Sequence, residues 1–198
     1  MTVVKAMFRD YDVMQFVKII LLKAASGERN KSLILSFLLF LVPLAAPAIA
    51  QSERSLSFYN THTGERLIVI YQRHGNYIPE SLEKINTILR DHRSGDIHPI
   101  DPKLMDYLYD LQTQVGNFGD VHIISGYRSP ETNRKLRRNS KEVAKGSMHM
   151  QGKALDFRLP GTDTARLCDA ARKMKRGGVG YYKKSDFIQI DTGRVRNW

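Results

Sequence analysis

Ser147-Met148-His149-Met150-Gln151-Gly152-Lys153-Ala154-Leu155-Asp156 sets an imidazole and a carboxylate seven positions apart, with a glycine between them. The glycine lets a loop fold back, so that His149 before the turn and Asp156 on the strand after it point at one ion, with bonds of about 2.0–2.2 Å. Taken alone the pair is weak, because a turn histidine and a capping aspartate produce the same pattern.

The surroundings of this stretch read as short strands and amphipathic helices. Upstream, Val121 to Ser125 is short and β-branched, hence a strand, and it delivers the chain to the loop Gly126-Tyr127-Arg128-Ser129-Pro130. A basic helix over about Glu131 to Arg138 follows. Downstream, Ala154 to Arg158 reads as a strand, Thr162 opens a helix, and Gly178 to Tyr181 and Phe187 to Asp191 are further strands. Nearer the start, Leu56 to Asn60 and Arg66 to Tyr71 form a hairpin across Thr61-His62-Thr63-Gly64. Pro79 opens a helix that closes at Ser94-Gly95, and Asp101-Pro102 caps a second one carrying Leu104, Leu108, Leu111 and Val115 at helical spacing. Helices early and short strands late, without regular alternation, predict an α+β fold: a small, mainly antiparallel sheet flanked by helices.

The chain has 198 residues and a net charge of +11, enough for one ordinary domain and a short appendage. Residues 33–46 are an uncharged apolar run, preceded by Arg29 and Lys31 and followed by Ala48-Ile49-Ala50. These parts describe an export signal cleaved before Gln51. The run is short for a membrane span, so membrane association is expected only through an uncleaved signal. The division is therefore residues 1–50 as extension and signal, and residues 51–198 as the working domain, expected to act as a monomer. No Arg-Arg pair precedes the run and no cysteine follows it, against twin-arginine export and a lipoprotein. The lone Cys168 has no disulfide partner and lies in an apolar helical pattern, which makes it a packing residue and a thiol hydrolase a poor reading.

Ser147-x-His149-x-x-Gly152-x-Ala154-x-Asp156 resembles the first zinc motif of the D-Ala-D-Ala carboxypeptidase and murein endopeptidase family, related to the lysostaphin-like peptidases. Ser125-Gly126-Tyr127-Arg128-Ser129 resembles that family's arginine loop, and Gly177 to Tyr182 through Asp191 to Trp198 its closing segment. The likeness covers nearly the whole exported part and is greatest to the periplasmic murein endopeptidases of Gram-negative bacteria.

The resemblance implies a Zn2+ cofactor held by His149, Asp156 and a third histidine just before x-Asp-Thr-Gly. That third position is Gln189 here. An amide carbonyl is a neutral oxygen donor, better suited to hard ions than to zinc, so weaker binding is expected. Asp191 shares the strand face of Gln189 and is one conceivable substitute ligand; His122, on the strand before the arginine loop, is another. The remaining histidines are assigned no role. By the same resemblance Asp186 stands where the family has its proton-transferring acid, and Arg128 is placed to bind a substrate carboxylate or the oxyanion formed from an amide carbonyl. Tyr127, Tyr181 and Tyr182 are candidates to line the cleft. The implied substrate is the peptide of peptidoglycan, cut beside a D-amino acid or meso-diaminopimelate and reached in the periplasm. A domain that holds peptidoglycan without cutting it is the alternative. Arg134-Lys135-Leu136-Arg137-Arg138 and Arg172-Lys173-Met174-Lys175-Arg176 also suit phosphates, but export and the lack of a recognition helix or aromatic platform argue against nucleic acid.

Overall fold

The computed structural model describes residues 53–140 and 143–198. The expected export signal and its cleavage point lie outside the described residues. Among those described, no helix is long and apolar enough to cross a membrane.

Strands β1 (Glu53–Asn60) and β2 (Arg66–Arg73) form the expected antiparallel hairpin. Its turn is built by Asn60, whose side-chain oxygen accepts the N–H groups of His62 and Thr63, and by Gly64 at φ 74°. Inward positions alternate, so Leu56 and Phe58 of β1 and Val69 and Tyr71 of β2 are buried. A short β3 (Asn76–Tyr77) turns back onto β2, and helix α1 (Pro79–Ile88) packs beside β2. Helix α1 closes at Ile88 rather than at Ser94-Gly95. The Leu89 carbonyl accepts from Tyr127 N–H at 2.7 Å, and Asp91 is occupied by the backbone beyond it, so the chain leaves the helical path there.

Helix α2 (Pro102–Val115) starts as expected, with the Asp101 carboxylate accepting Lys103 N–H, and stops at Gly116 in the left-handed region. Then come β4 (Val121–Ser125), α3 (Pro130–Asn139), a 3-10 turn (Met148–Gln151), β5 (Ala154–Arg158) and α4 (Thr164–Met174). Strand β6 (Gly178–Tyr182), a second 3-10 turn (Lys183–Ser185), β7 (Phe187–Asp191) and β8 (Arg196–Asn197) complete the described elements.

The α+β class holds, with four helices and eight strands among the described residues, but the sheet is not small and mainly antiparallel. It is a mixed eight-stranded sheet in the order β3-β2-β1-β4-β5-β7-β6-β8. Two helices separate the opening hairpin from β4, a crossover long enough for β4 to lie parallel to β1. At the other end, the turn after β7 carries the chain past β6, which β8 then joins in parallel.

Leu155 and Phe157 of β5 and Ile188 and Ile190 of β7 enter one apolar core with α2 and α4, where Tyr107 also donates to the Ala171 carbonyl at 2.9 Å. Cys168 is buried there as expected, and burial pushes its thiol pKa up. Period two then sends Asp156 and Gln189 to the opposite face, where they are registered neighbours. Truncating this core tests the arrangement: Phe157→Ala should lower the unfolding free energy by about 3–5 kcal/mol in chemical denaturation.

Candidate metal centre

Two loops with glycine-dependent shapes bring the site together. At Gly126 a Cβ would lie 2.4 Å from the Leu89 carbonyl oxygen, so only glycine lets the arginine loop lie against the end of α1. Gly152 closes the 3-10 turn at φ 65°, and a Cβ there would meet the Pro99 oxygen at 2.1 Å. The loops are then tied to each other: Arg128 N–H donates to the His149 carbonyl at 3.2 Å, and His149 Nδ1 lies 2.7 Å from the Gly126 carbonyl. A carbonyl only accepts, so Nδ1 carries the proton and, in the neutral ring, Nε2 keeps its lone pair.

That lone pair meets two oxygens. His149 Nε2 is 3.3 Å from Asp156 Oδ1 and 3.3 Å from Gln189 Oε1. The three residues are 1 %, 7 % and 9 % exposed, and Asp156 Oδ1 has no hydrogen-bond donor although it is buried. Three acceptors facing one another without a donor is a costly arrangement in the absence of a cation. Both separations from His149 Nε2 also have the right size: ligand atoms about 2.0–2.1 Å from a tetrahedral zinc stand about 3.3 Å apart. One imidazole nitrogen, one carboxylate oxygen and one amide oxygen thus fit a divalent cation, with Gln189 in the third corner.

The amide is oriented from behind. Gln189 Nε2 donates to Asp191 Oδ2 at 3.5 Å, which leaves Oε1 to face His149. Asp191, considered above as a substitute ligand, is engaged by other partners. Its fully buried carboxylate accepts Gly178 N–H and Gly193 N–H and forms a two-pronged pair with Arg196 at 3.0 and 2.7 Å. Among the described residues, no three His, Cys, Asp or Glu side chains form a group able to hold a metal ion. His122 packs edge-on against Tyr59 at the β1–β4 pairing and does not enter the cluster.

Arg128 lies beside the cluster. Its Nη2 is 3.6 Å from Asp156 Oδ2 and 3.4 Å from Ser125 Oγ, while Nε is buried without a partner. Burial lowers its pKa, against the pull of Asp156. Asp186 does not reach the site. The chain does turn there, at φ 51°, but the carboxylate accepts from Thr164 Oγ1 and pairs with Arg158 at 3.7 Å. Its neighbours Ser185 and Phe187 line the cleft instead. Of the three tyrosines, Tyr182 lines the cleft, Tyr181 packs toward the core and Tyr127 stacks on His98.

The cleft measures about 450 Å³ and holds Arg128, Ser147, Asp156 and Gln189 on one side and Tyr182 and Trp198 on the other. Tyr182 was among the tyrosines expected there, whereas Trp198 and the Asp191–Arg196 pair were not singled out in the sequence. The visible signals were Gly180, lacking a side chain between large neighbours, and an arginine five residues after Asp191.

The family model described as peptidoglycan L,D-endopeptidase MepK matches residues 48–198. A protein named peptidoglycan L,D-endopeptidase MepK from Escherichia coli K12 is 44 % identical over 156 residues, covering 79 % of this chain and 86 % of the relative. One from Haemophilus influenzae, named "Probable peptidoglycan L,D-endopeptidase MepK", is 42 % identical over 146 residues, 73 % of this chain and 78 % of its own. No solved structure matches.

A buried carboxylate outside the cluster holds the arginine loop in place. Asp91 accepts Ser129 N–H at 2.9 Å and Arg93 N–H at 3.0 Å. Burial pushes its pKa up, but bonds from Thr132, Ser129 and Arg93 outweigh that and hold it at about 2. The folded value lies below the unfolded one near 4, so the charge stabilises the fold fully above about pH 4 and that contribution is lost as pH falls toward 2. Asp91→Asn should therefore cost about 2 kcal/mol at neutral pH, and denaturation curves should show the difference from the unaltered chain shrinking between about pH 4 and pH 2.

Proposed function

The chain belongs to the peptidoglycan L,D-endopeptidase MepK family, and from that premise we propose that it is a metal-dependent murein endopeptidase of the periplasm, acting on the peptide of peptidoglycan beside meso-diaminopimelate or a D-amino acid. The observation that carries this reading is the meeting of His149 Nε2, Asp156 Oδ1 and Gln189 Oε1 at one point beside Arg128.

His149, Asp156 and Gln189 would hold the cation, which we assign as zinc. Bound there, it supplies Lewis acidity to a water molecule and to the scissile carbonyl. The protein does the rest with fixed groups. Gly126 keeps the His149 ring in one tautomer, and Asp191, locked by Arg196, keeps the carbonyl of Gln189 turned inward. Arg128 is held by Asp156 and Ser125 on the cleft lining, where its guanidinium would meet a substrate carboxylate or the oxygen on which charge develops. Asp186 serves the site indirectly in this reading: bonded to Thr164, it fixes the turn that places Ser185 and Phe187 on the rim.

Gln189 sets the strength of the site. Replacing an imidazole by an amide exchanges a strong donor for a weak one, at a cost bounded by about 3 kcal/mol, a quarter of the binding energy of a four-ligand zinc site. Calorimetric titration with zinc should show Gln189→His binding about a hundredfold more tightly, with faster release of muropeptides from purified sacculi. Arg128→Lys should lower kcat/KM about a hundredfold with zinc affinity unchanged. Undiminished digestion after metal removal by a chelator would overturn the metal-dependent reading. Sacculi bound but left uncut by both the unaltered chain and Gln189→His would favour the alternative, a peptidoglycan binder of the same fold.

A further inference from the structure

The row of registered positions across the sheet runs from Ser125 on β4 to Asp156 on β5, Gln189 on β7 and Gly180 on β6. Its first three members carry polar side chains and the fourth carries none. That space is filled by the indole of Trp198, since a Cβ on Gly180 would lie 2.6 Å from Trp198 Cε2 and Nε1. The ring is firmly seated. Trp198 N–H donates to the Val179 carbonyl at 3.2 Å and its own carbonyl accepts Tyr181 N–H at 3.1 Å. Its Nε1 donates to Tyr182 Oη at 3.1 Å, and the Arg196 guanidinium lies 4.8 Å from the ring centre.

Trp198, held this tightly, is nonetheless 45 % exposed as a residue, and it lines the same cleft as Arg128, Asp156 and Gln189. Tyr182 and Phe187, stacked with centroids 4.6 Å apart, continue the wall. The nearby charge of Arg196 is neutralised by buried Asp191, so this side of the cleft offers aromatic surface with a phenol oxygen at its edge. Neighbouring strands lie about 4.8 Å apart and an extended peptide advances about 3.4 Å per residue. A peptide running across the strands with its reacting bond over Gln189 would therefore carry a residue within two of that bond over Trp198. The glycan, the other ligand that aromatic faces favour, joins the stem peptide at its far end.

We propose that Trp198, seated on Gly180, is a specificity-determining contact that takes the methylene side chain of the diamino acid flanking the cleaved bond. The proposal rests on the endopeptidase reading of the site. A long unbranched side chain covers the ring with its methylenes while its polar tip reaches the cleft edge.

Trp198 is the one tryptophan of the chain, so its emission reports on this position alone. A synthetic stem peptide ending in meso-diaminopimelate is titrated into the full chain while emission is followed, with the same peptide ending in alanine as control. Calorimetry measures both affinities without requiring turnover. The diaminopimelate peptide should shift the emission saturably. Trp198→Ala should weaken that peptide about tenfold and leave the alanine peptide unchanged. Gly180→Ala keeps the tryptophan but displaces its ring, and should give the same selective loss, so the inference does not depend on Trp198→Ala folding well. If the diaminopimelate peptide binds by calorimetry without moving the emission, and Gly180→Ala binds it as tightly as the unaltered chain, the contact is overturned and the endopeptidase reading stands. If neither peptide binds the unaltered chain, both fall.

Discussion

Three lone pairs aimed at one buried point, with no proton donor among them, are the constraint on which the rest of this structure depends. An isolated carboxylate oxygen out of water costs several kcal/mol unless something positive meets it. Asp156 Oδ1 is in that position, and its nearest neighbours, His149 Nε2 and Gln189 Oε1, are acceptors too. The surrounding chain keeps them there. The Gly126 carbonyl fixes the imidazole, Gly126 is itself held against Leu89, and the buried Arg196–Asp191 pair braces the amide. These supports come from separated parts of the chain, so the cluster exists only once the sheet has formed.

Much of this was legible in the sequence where the signal is local. Strands Val121–Ser125, Ala154–Arg158 and Phe187–Asp191 were readable to the residue, because each is a short apolar-rich run ended by glycine, proline or charge. The Asp101-Pro102 cap and the burial of Cys168 were equally readable. The extent of the sheet was not. Strands β3 and β8 are two residues long, and both parallel pairings join segments whose contact depends on how far a connection travels. Asp191 and Asp186 show another limit. Period two correctly put Asp191 on the face of Gln189, but a carboxylate binds the strongest partner within reach. Arg196 takes one, and Thr164 with Arg158 takes the other. Only the folded chain reveals those competitors.

Gln189 changes the quality of the donor set without changing its charge. An imidazole and an amide are both neutral, so the donor set carries one carboxylate either way, with Arg128 close by to temper it. What differs is softness: amide oxygen favours harder ions and gives zinc less. The register of the sheet absorbs the substitution easily, since position 189 lies between Asp156 and Gly180 whichever side chain it carries.

The central claim is that these three atoms grip one cation together. Anomalous diffraction at the zinc edge, from crystals of the protein soaked in zinc, measures that directly. A single strong peak is expected about 2.0–2.2 Å from His149 Nε2, Asp156 Oδ1 and Gln189 Oε1. A peak bound by other residues, or Gln189 turned away with His149 and Asp156 bonded only to each other, would contradict it.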